Sequence, residues 1–193
     1  GGHDVMGLGI TLVDSLDTML LLDLHDTPAY ARAREWVATH FDTNIDRDLS
    51  VFETSIRVLG GLLSTYALSG DTVYLNQSRA LGDKLVQAME TPTGLPASVI
   101  NPRHGSAKRD YVNPYNGNKC RFGDPTTVAE VGSIQLELQY LSHATGDPKY
   151  AALGDKAMLK LMDMAVVPGI KKAPNPAPYR GVQEGKGEFG EGL

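Results

Sequence analysis

Apolar residues recur at intervals of three and four through six stretches of the chain, roughly 8–24, 29–40, 49–68, 72–90, 126–145 and 148–165. That period places one apolar face along an α-helix. The punctuation between the stretches repeats as well. Ser69-Gly70-Asp71-Thr72-Val73-Tyr74 returns further along as Thr145-Gly146-Asp147-Pro148-Lys149-Tyr150, and Asp26-Thr27-Pro28-Ala29-Tyr30 is a weaker third copy. In this pattern Gly-Asp stops one helix and caps the next, Pro or Thr enters the first turn, and the tyrosine packs back. The spacing predicts six helices in three antiparallel pairs.

Repeated αα-hairpins bury their apolar faces only against neighbouring hairpins, so they form an open solenoid or a closed ring. The interval from Asp26 to Asp71 is much shorter than the interval from Asp71 to Asp147, and the rim of a ring accommodates such unequal connections better than a solenoid does. The expected fold is all-α, an α/α toroid of antiparallel helical hairpins. Three hairpins cannot close such a ring, so residues 1–193 are expected to be the N-terminal portion of a single, larger α/α-barrel domain. Two segments interrupt the helical pattern. Residues 91–125 carry repeated Pro and Gly, with a short strand predicted between Leu95 and Asn101, and 167–193 run through Pro and Gly without reaching a new helix. The first is too long for a simple connector.

Composition narrows the function by exclusion. The chain is 41% hydrophobic and 21% charged, ordinary for a globular protein, and its net charge of −5 argues against a nucleic-acid partner, which requires a basic face. The lone Cys120 makes no disulfide within the chain, and the five histidines show no metal-ligand spacing. The longest apolar run, around Thr18 to Leu24, is far too short to span a membrane. The chain opens on Gly1-Gly2-His3-Asp4, so any leader or membrane anchor is expected outside it. Asn76-Gln77-Ser78 has the N-glycosylation pattern, which suits a secretory protein.

Glu53 and Arg57 lie four apart on the third helix, with Gly60, Gly61 and Ser64 continuing the stripe beside the apolar Phe52, Ile56, Leu59 and Leu63. Each interior glycine costs about 1 kcal/mol relative to alanine, which close packing or a close ligand would offset. The bland reading is an exposed ion pair worth about 0.2–0.5 kcal/mol. The repeat adds weight to the functional one. Glu53 precedes Gly70 by almost the same interval as Glu130 precedes Gly146, so both occupy nearly the same level of equivalent helices. Two carboxylates converging on a cavity are the raw material of glycoside hydrolysis, while buried acids satisfied by arginine are the structural alternative. Asp14 and Asp17 read as structural acids in need of donors such as a helix N-terminus or the Thr18 hydroxyl. The basic cluster Arg103, His104, Lys108, Arg109, Lys119 and Arg121, interleaved with Tyr111 and Tyr115, reads as a solvated loop face. In a glycosidase such a face could hold sugar.

The segments Gly7–Met19, Val51–Ser64 and Thr127–Glu137 together resemble glycoside hydrolase family 47, the class I α-1,2-mannosidases, in order and in interval. The resemblance implies an (αα)7 barrel in the intact domain and inverting hydrolysis of terminal α-1,2-linked mannose from high-mannose N-glycans on glycoproteins. It also implies a protein that is monomeric when complete and works in the lumen of the endoplasmic reticulum or Golgi. By motif, Glu53 matches a catalytic carboxylate assigned as general acid acting through a water, Arg57 an arginine lining the glycan groove, and Glu130 a sugar-binding or mechanism-supporting acid. The family's Ca²⁺ is held mainly by a threonine near the domain's C-terminus and by waters. That threonine and two further catalytic acids are expected outside this chain, which by itself is expected to be inactive. Residues 101–125 and 168–189 depart from the family's usual loops. The resemblance leaves a second function open, a mannosidase-like glycan-binding protein of endoplasmic-reticulum quality control. The hairpin repeat alone would also suit a non-enzymatic scaffold.

Overall fold

The computed structural model describes residues 6–91, 94–105, 110–112, 119–121, 126–165, 180–182 and 189–191. Helices occupy Ile10–Leu21 (α1), Pro28–Thr39 (α2), Val51–Glu53 (α3), Gly60–Ser69 (α4), Thr72–Met89 (α5), Val128–Ser133 (α6), Gln135–Thr145 (α7) and Lys149–Ala165 (α8). A π-helical turn, Thr54–Leu59, joins α3 to α4 without a break. Each of the six predicted stretches is thus largely helical, although two of them begin as strands, at Leu49–Ser50 and Thr126–Thr127. Helix α1 is shorter than its apolar pattern, because left-handed Gly9 (φ 62°) precedes it and left-handed Asp23 (φ 55°) lies in the turn that follows.

The repeated turn works as its residues dictate. Gly70 (φ 68°) and Gly146 (φ 70°) end their helices in the left-handed region, where a side chain is strained. Asp71 Oδ1 then accepts the Val73 N–H at 3.0 Å, and Asp147 Oδ1 accepts the Lys149 N–H at 3.1 Å. In the weaker copy the cap is Thr27, whose Oγ1 accepts the Tyr30 N–H at 3.3 Å with Pro28 behind it. Each cap satisfies an N–H that the helix itself cannot, worth about 1 kcal/mol. The tyrosines that follow are all buried. Tyr74 donates to the Tyr30 hydroxyl at 3.1 Å, and Tyr150 donates to Asp83 Oδ1 at 2.8 Å, so each hairpin is tied to the one before it.

The helices pack in two rows. Helix α1 lies on α4 and α4 on α7, while α2 lies on α5 and α5 on α8, with each hairpin bridging the rows. This is an arc of an α/α toroid. Val13 and Leu16 of α1, Leu62 and Leu63 of α4, Leu81 and Leu85 of α5, and Leu138 and Leu141 of α7 fill the space between the rows. The first row carries the stripe singled out in the sequence. Gly61 faces the backbone of α1, where a Cβ would stand 3.2 Å from the Val13 carbonyl oxygen, so its absence lets the two helices approach.

Short strands lead into two of the first-row helices. β1 (Leu49–Ser50) leads directly into α3 and pairs antiparallel with β2 (Val99–Ile100), Leu49 opposite Ile100. The predicted strand at Leu95–Asn101 is therefore present but confined to its last third, and Leu49–Ser50, expected to be helical, is its partner. β3 (Asp110–Val112) pairs with β4 (Lys119–Arg121). β5 (Thr126–Thr127) leads into α6 and joins β6 (Arg180–Val182), which pairs in turn with β7 (Phe189–Glu191). The segment after α8, which the sequence pattern left without regular structure, thus returns as two strands to the start of a first-row helix.

Gly61→Ala is expected to cost about 1–3 kcal/mol of overpacking against α1, offset by about 1 kcal/mol of helix propensity. Gly60→Ala keeps the propensity gain, since its Cβ would meet nothing closer than 3.6 Å. Chemical denaturation of the full-length protein should therefore rank Gly60→Ala above Gly61→Ala in stability. The reverse order would remove close α1–α4 packing as the reason for Gly61.

Candidate functional site

Ser50 caps α3 by accepting the Glu53 N–H on its Oγ at 3.2 Å. Ser50 and Glu53 have the spacing of a capping box, in which the glutamate would reach back to the cap. Instead the Glu53 carboxylate turns forward and takes Arg57 Nε on Oε2 at 2.5 Å. The π-helical turn begins at the next residue and widens the coil between these two side chains, and the Gly60 N–H reaches the Ser55 carbonyl five residues back. π-Helical turns are rare and often mark functional sites.

Arg57 also reaches across to α1, with its guanidinium 3.8 Å from Asp14 Oδ2. One cation thus sits between two carboxylates from neighbouring helices of the first row. Asp14 therefore has arginine as its partner, not the hydroxyl or helix end expected from the sequence. Only Asp17 uses the hydroxyl, accepting from Thr18 Oγ1 at 3.4 Å. Burial pushes the Asp14 carboxyl above its ordinary range. Arg57 pulls it back, and the neighbouring Asp17 and Glu53 charges add to the rise. Glu53 is the most shielded of the triad, its side chain 22% exposed against 36% for Asp14 and 47% for Arg57. The pair is thus neither a freely solvated helix pair nor a buried one.

Glu130 is half-buried in the first turn of α6, and α6 packs on α3. The structure therefore brings the helical turns bearing Glu53 and Glu130 together, as their equivalent positions in the repeat required. Of the basic cluster, Arg103 and His104 both contact Asp46, at 3.8 and 3.3 Å. Buried Asn101 donates to Asp46 and Asp48 at 3.0 and 3.3 Å, which fastens the β2 loop beside the entry to α3. Lys108, Arg109 and Tyr115 lie outside the described residues.

Sequence reasoning missed Glu137. Its carboxylate lies over Gly60, with Oε1 3.6 Å from where a Cβ would stand, so it shares the stripe of Glu53 and Arg57. Glu137 Oε2 is buried with no hydrogen-bond partner among the described residues, as is Thr54 Oγ1 in the π-helical turn. Burial raises the Glu137 carboxyl above its ordinary value. The available signal was its spacing of seven from Glu130, two helical turns, together with a glycine on the facing helix. Among the described residues no cluster of three or more His, Cys, Asp or Glu could hold a metal ion, and no helix is long and apolar enough to cross a membrane.

Comparison with known proteins bears on this arrangement. The model of glycosyl hydrolase family 47 matches residues 1–182. A mannosyl-oligosaccharide 1,2-alpha-mannosidase of Arabidopsis thaliana is 44% identical over 155 residues, covering 80% of this chain and 26% of that protein. The human endoplasmic reticulum mannosyl-oligosaccharide 1,2-alpha-mannosidase is 41% identical over 150 residues, covering 78% of this chain and 20% of that protein. Among solved structures, an alpha-1,2-mannosidase from Trichoderma reesei superposes with a TM-score of 0.65 at 30% identity, covering 81% of this chain and 32% of that one. The chain thus spans about a quarter or less of the length of these two curated relatives.

The raised Glu137 carboxyl fixes the sign of a pH effect. The folded state binds the proton more tightly than the unfolded chain, so the stabilisation is complete below the unfolded carboxylate pKa and is lost as pH rises through the folded one. Glu137→Gln in the full-length protein should flatten this fall and raise the melting temperature at neutral pH relative to wild type. Parallel pH profiles for the two proteins would show that Glu137 is not held in its neutral form.

Proposed function

Since the chain belongs to glycosyl hydrolase family 47, we propose that it is the N-terminal part of the single α/α-barrel catalytic domain of an inverting α-1,2-mannosidase that trims high-mannose N-glycans in the secretory pathway. The names of the relatives support the reaction and, through the endoplasmic-reticulum enzymes, the compartment. Leu136, Leu159 and Met162, exposed on the last hairpin, support the single-domain reading because a further hairpin would cover them.

The observation that carries the proposal is the carboxylate of Glu53, held by Arg57 on the first row. Arg57 occupies Oε2, and Oε1 has no hydrogen bond among the described residues. In this reading Glu53 carries a proton on Oε1 before the step and passes it, through a water, to the leaving glycosidic oxygen, ending as the carboxylate that Arg57 neutralises. Arg57 fixes the carboxylate's orientation and lines the glycan groove, and Glu130, on the adjacent helix, binds the sugar or supports the mechanism. Inversion requires room for a water on the far face of the sugar, with a second carboxylate as base. That base is assigned to the remainder of the domain.

Calcium belongs to the same proposal, although the described residues do not form its site. Asp14 and Glu53 both share Arg57, whose positive charge opposes a cation beside them. No step is therefore assigned to the ion on this chain's side chains. Chelation is expected to abolish mannose release by the full-length protein, and added Ca²⁺ to raise its melting temperature by binding the folded state alone. Activity unchanged by chelation would remove the ion from the proposal.

Glu53→Gln is expected to lower kcat by about 10²–10⁴-fold, the usual worth of a positioned acid or base, with the fold and glycan binding retained. A variant within twofold of wild type would take Glu53 out of the mechanism. A wild-type protein that binds high-mannose glycan but releases no mannose would favour the glycan-binding reading instead.

A further inference from the structure

The Asn76-Gln77-Ser78 tripeptide has no part in the site just described. It lies in the first half of α5, in the second row, whereas Glu53 and Arg57 belong to the first. Tyr74, Ser78, Leu81 and Leu85 form the buried line of this helix. Asn76 lies two residues, roughly 200° of helix, from both Tyr74 and Ser78 and therefore points away from the core. It is exposed, as are Thr72 and Arg79 one turn to either side, and its carboxamide makes no hydrogen bond among the described residues. A bulky group on Nδ2 would displace no native contact.

Ser78 is the opposite case. It is 0% exposed, and its hydroxyl donates to the Tyr74 carbonyl at 2.8 Å. Between them, Gln77 donates from Nε2 to the Val37 carbonyl of α2 at 3.2 Å. An enzyme that must read the asparagine and the hydroxyl together cannot reach Ser78 once α5 has docked on α2.

We propose that Asn76 carries an N-linked glycan, attached before α5 packs, and that this glycan projects from the second row and not from the first row, which bears Glu53. The inference rests on the secretory reading above. In the transfer, Asn76 Nδ2 forms a bond to C1 of the first sugar, and the bond from C1 to the diphosphate of a lipid-linked oligosaccharide breaks. The lipid diphosphate leaves, and the amide gives up one proton to solvent. No redox partner is needed. Projecting from the second row, the glycan does not meet the site of its own molecule, but it is a substrate for other copies.

The test uses the full-length chain with a secretory leader in eukaryotic cells, as wild type, Asn76→Gln and Ser78→Ala. Wild type should yield an Asn76 peptide bearing glycan, converted to aspartate by an N-glycan amidase, and both variants should migrate faster by one glycan. Asn76→Gln alters only an exposed side chain and should release mannose at the wild-type rate. Translation into microsomes should modify Asn76, whereas folded, unglycosylated protein offered to the same membranes with lipid-linked donor should not be modified. Wild type that is protease-protected in the lumen yet bare at Asn76 overturns this inference and leaves the mannosidase reading intact. A chain that never enters the lumen overturns the secretory reading and this inference together. Modification of the prefolded protein would overturn the claim that attachment precedes packing.

Discussion

One carboxylate holds three helices of this fold in place. Asp71 follows the glycine that ends α4, accepts the Val73 N–H that begins α5, and takes Arg34 of α2 on its second oxygen at 2.5 Å. Burial alone would raise its pKa, but the hydrogen bond from Arg34 and the backbone N–H outweigh burial and hold the carboxyl below its ordinary range. The charged form is therefore the structural one. A helix end, a helix start and a neighbouring hairpin share this group, so the angle between hairpins follows from local capping geometry. Asp147 repeats the first two of these roles in the next copy of the turn, with Lys149 bridging to Asp83 of α5 at 2.8 Å.

With the hairpins set, the first row tolerates an irregular helix. A π-helical turn has poorer backbone geometry than an α-helix and survives where tertiary contacts compensate. Here Val58 and Leu59 of the turn itself are fully buried, and Gly61 lets α1 close against the next turn. The outcome is a pair of side chains, Glu53 and Arg57, whose bond spans the widened turn while Asp14 approaches from α1. Carboxylates outnumber the cation among these three side chains, the sense that draws hydroxyl donors. The same row presses Glu137 against Gly60 and leaves one of its oxygens buried and unpaired among the described residues.

The two rows divide the labour. The first concentrates the carboxylates, the arginine and the π-helical turn. The second carries the tyrosine ties and the exposed Asn76. The strands β1 and β5 lead into α3 and α6, so the short sheets brace the helix ends from which Glu53 and Glu130 project. Asn101 and its two aspartates reinforce the first of these braces.

Elements governed by nearest neighbours were legible in the sequence. Helix period, the Gly-Asp punctuation and the buried tyrosines all depend on residues within one or two turns, so six helices in three hairpins, and the level shared by Glu53 and Glu130, could be read directly from residue order. The pairing of Glu53 with Arg57 was also local, one helical turn apart. Tertiary structure alone decided what depends on approach between helices. Asp14 finds Arg57 only because α1 lies on α4, although the sequence suggested local donors. Glu137 acquires an unpaired oxygen only because α7 presses it toward Gly60. Leu49 and Ser50 pair as a strand, against their helical pattern, because Val99 and Ile100 return to them from beyond α5. The π-helical turn at Thr54–Leu59 was not legible either, because apolar residues three and four apart suit an α-helix and which backbone bond forms there is settled by packing. Residue order carries the period and the caps, whereas the partners of a buried charge are set by which helices the packing makes neighbours.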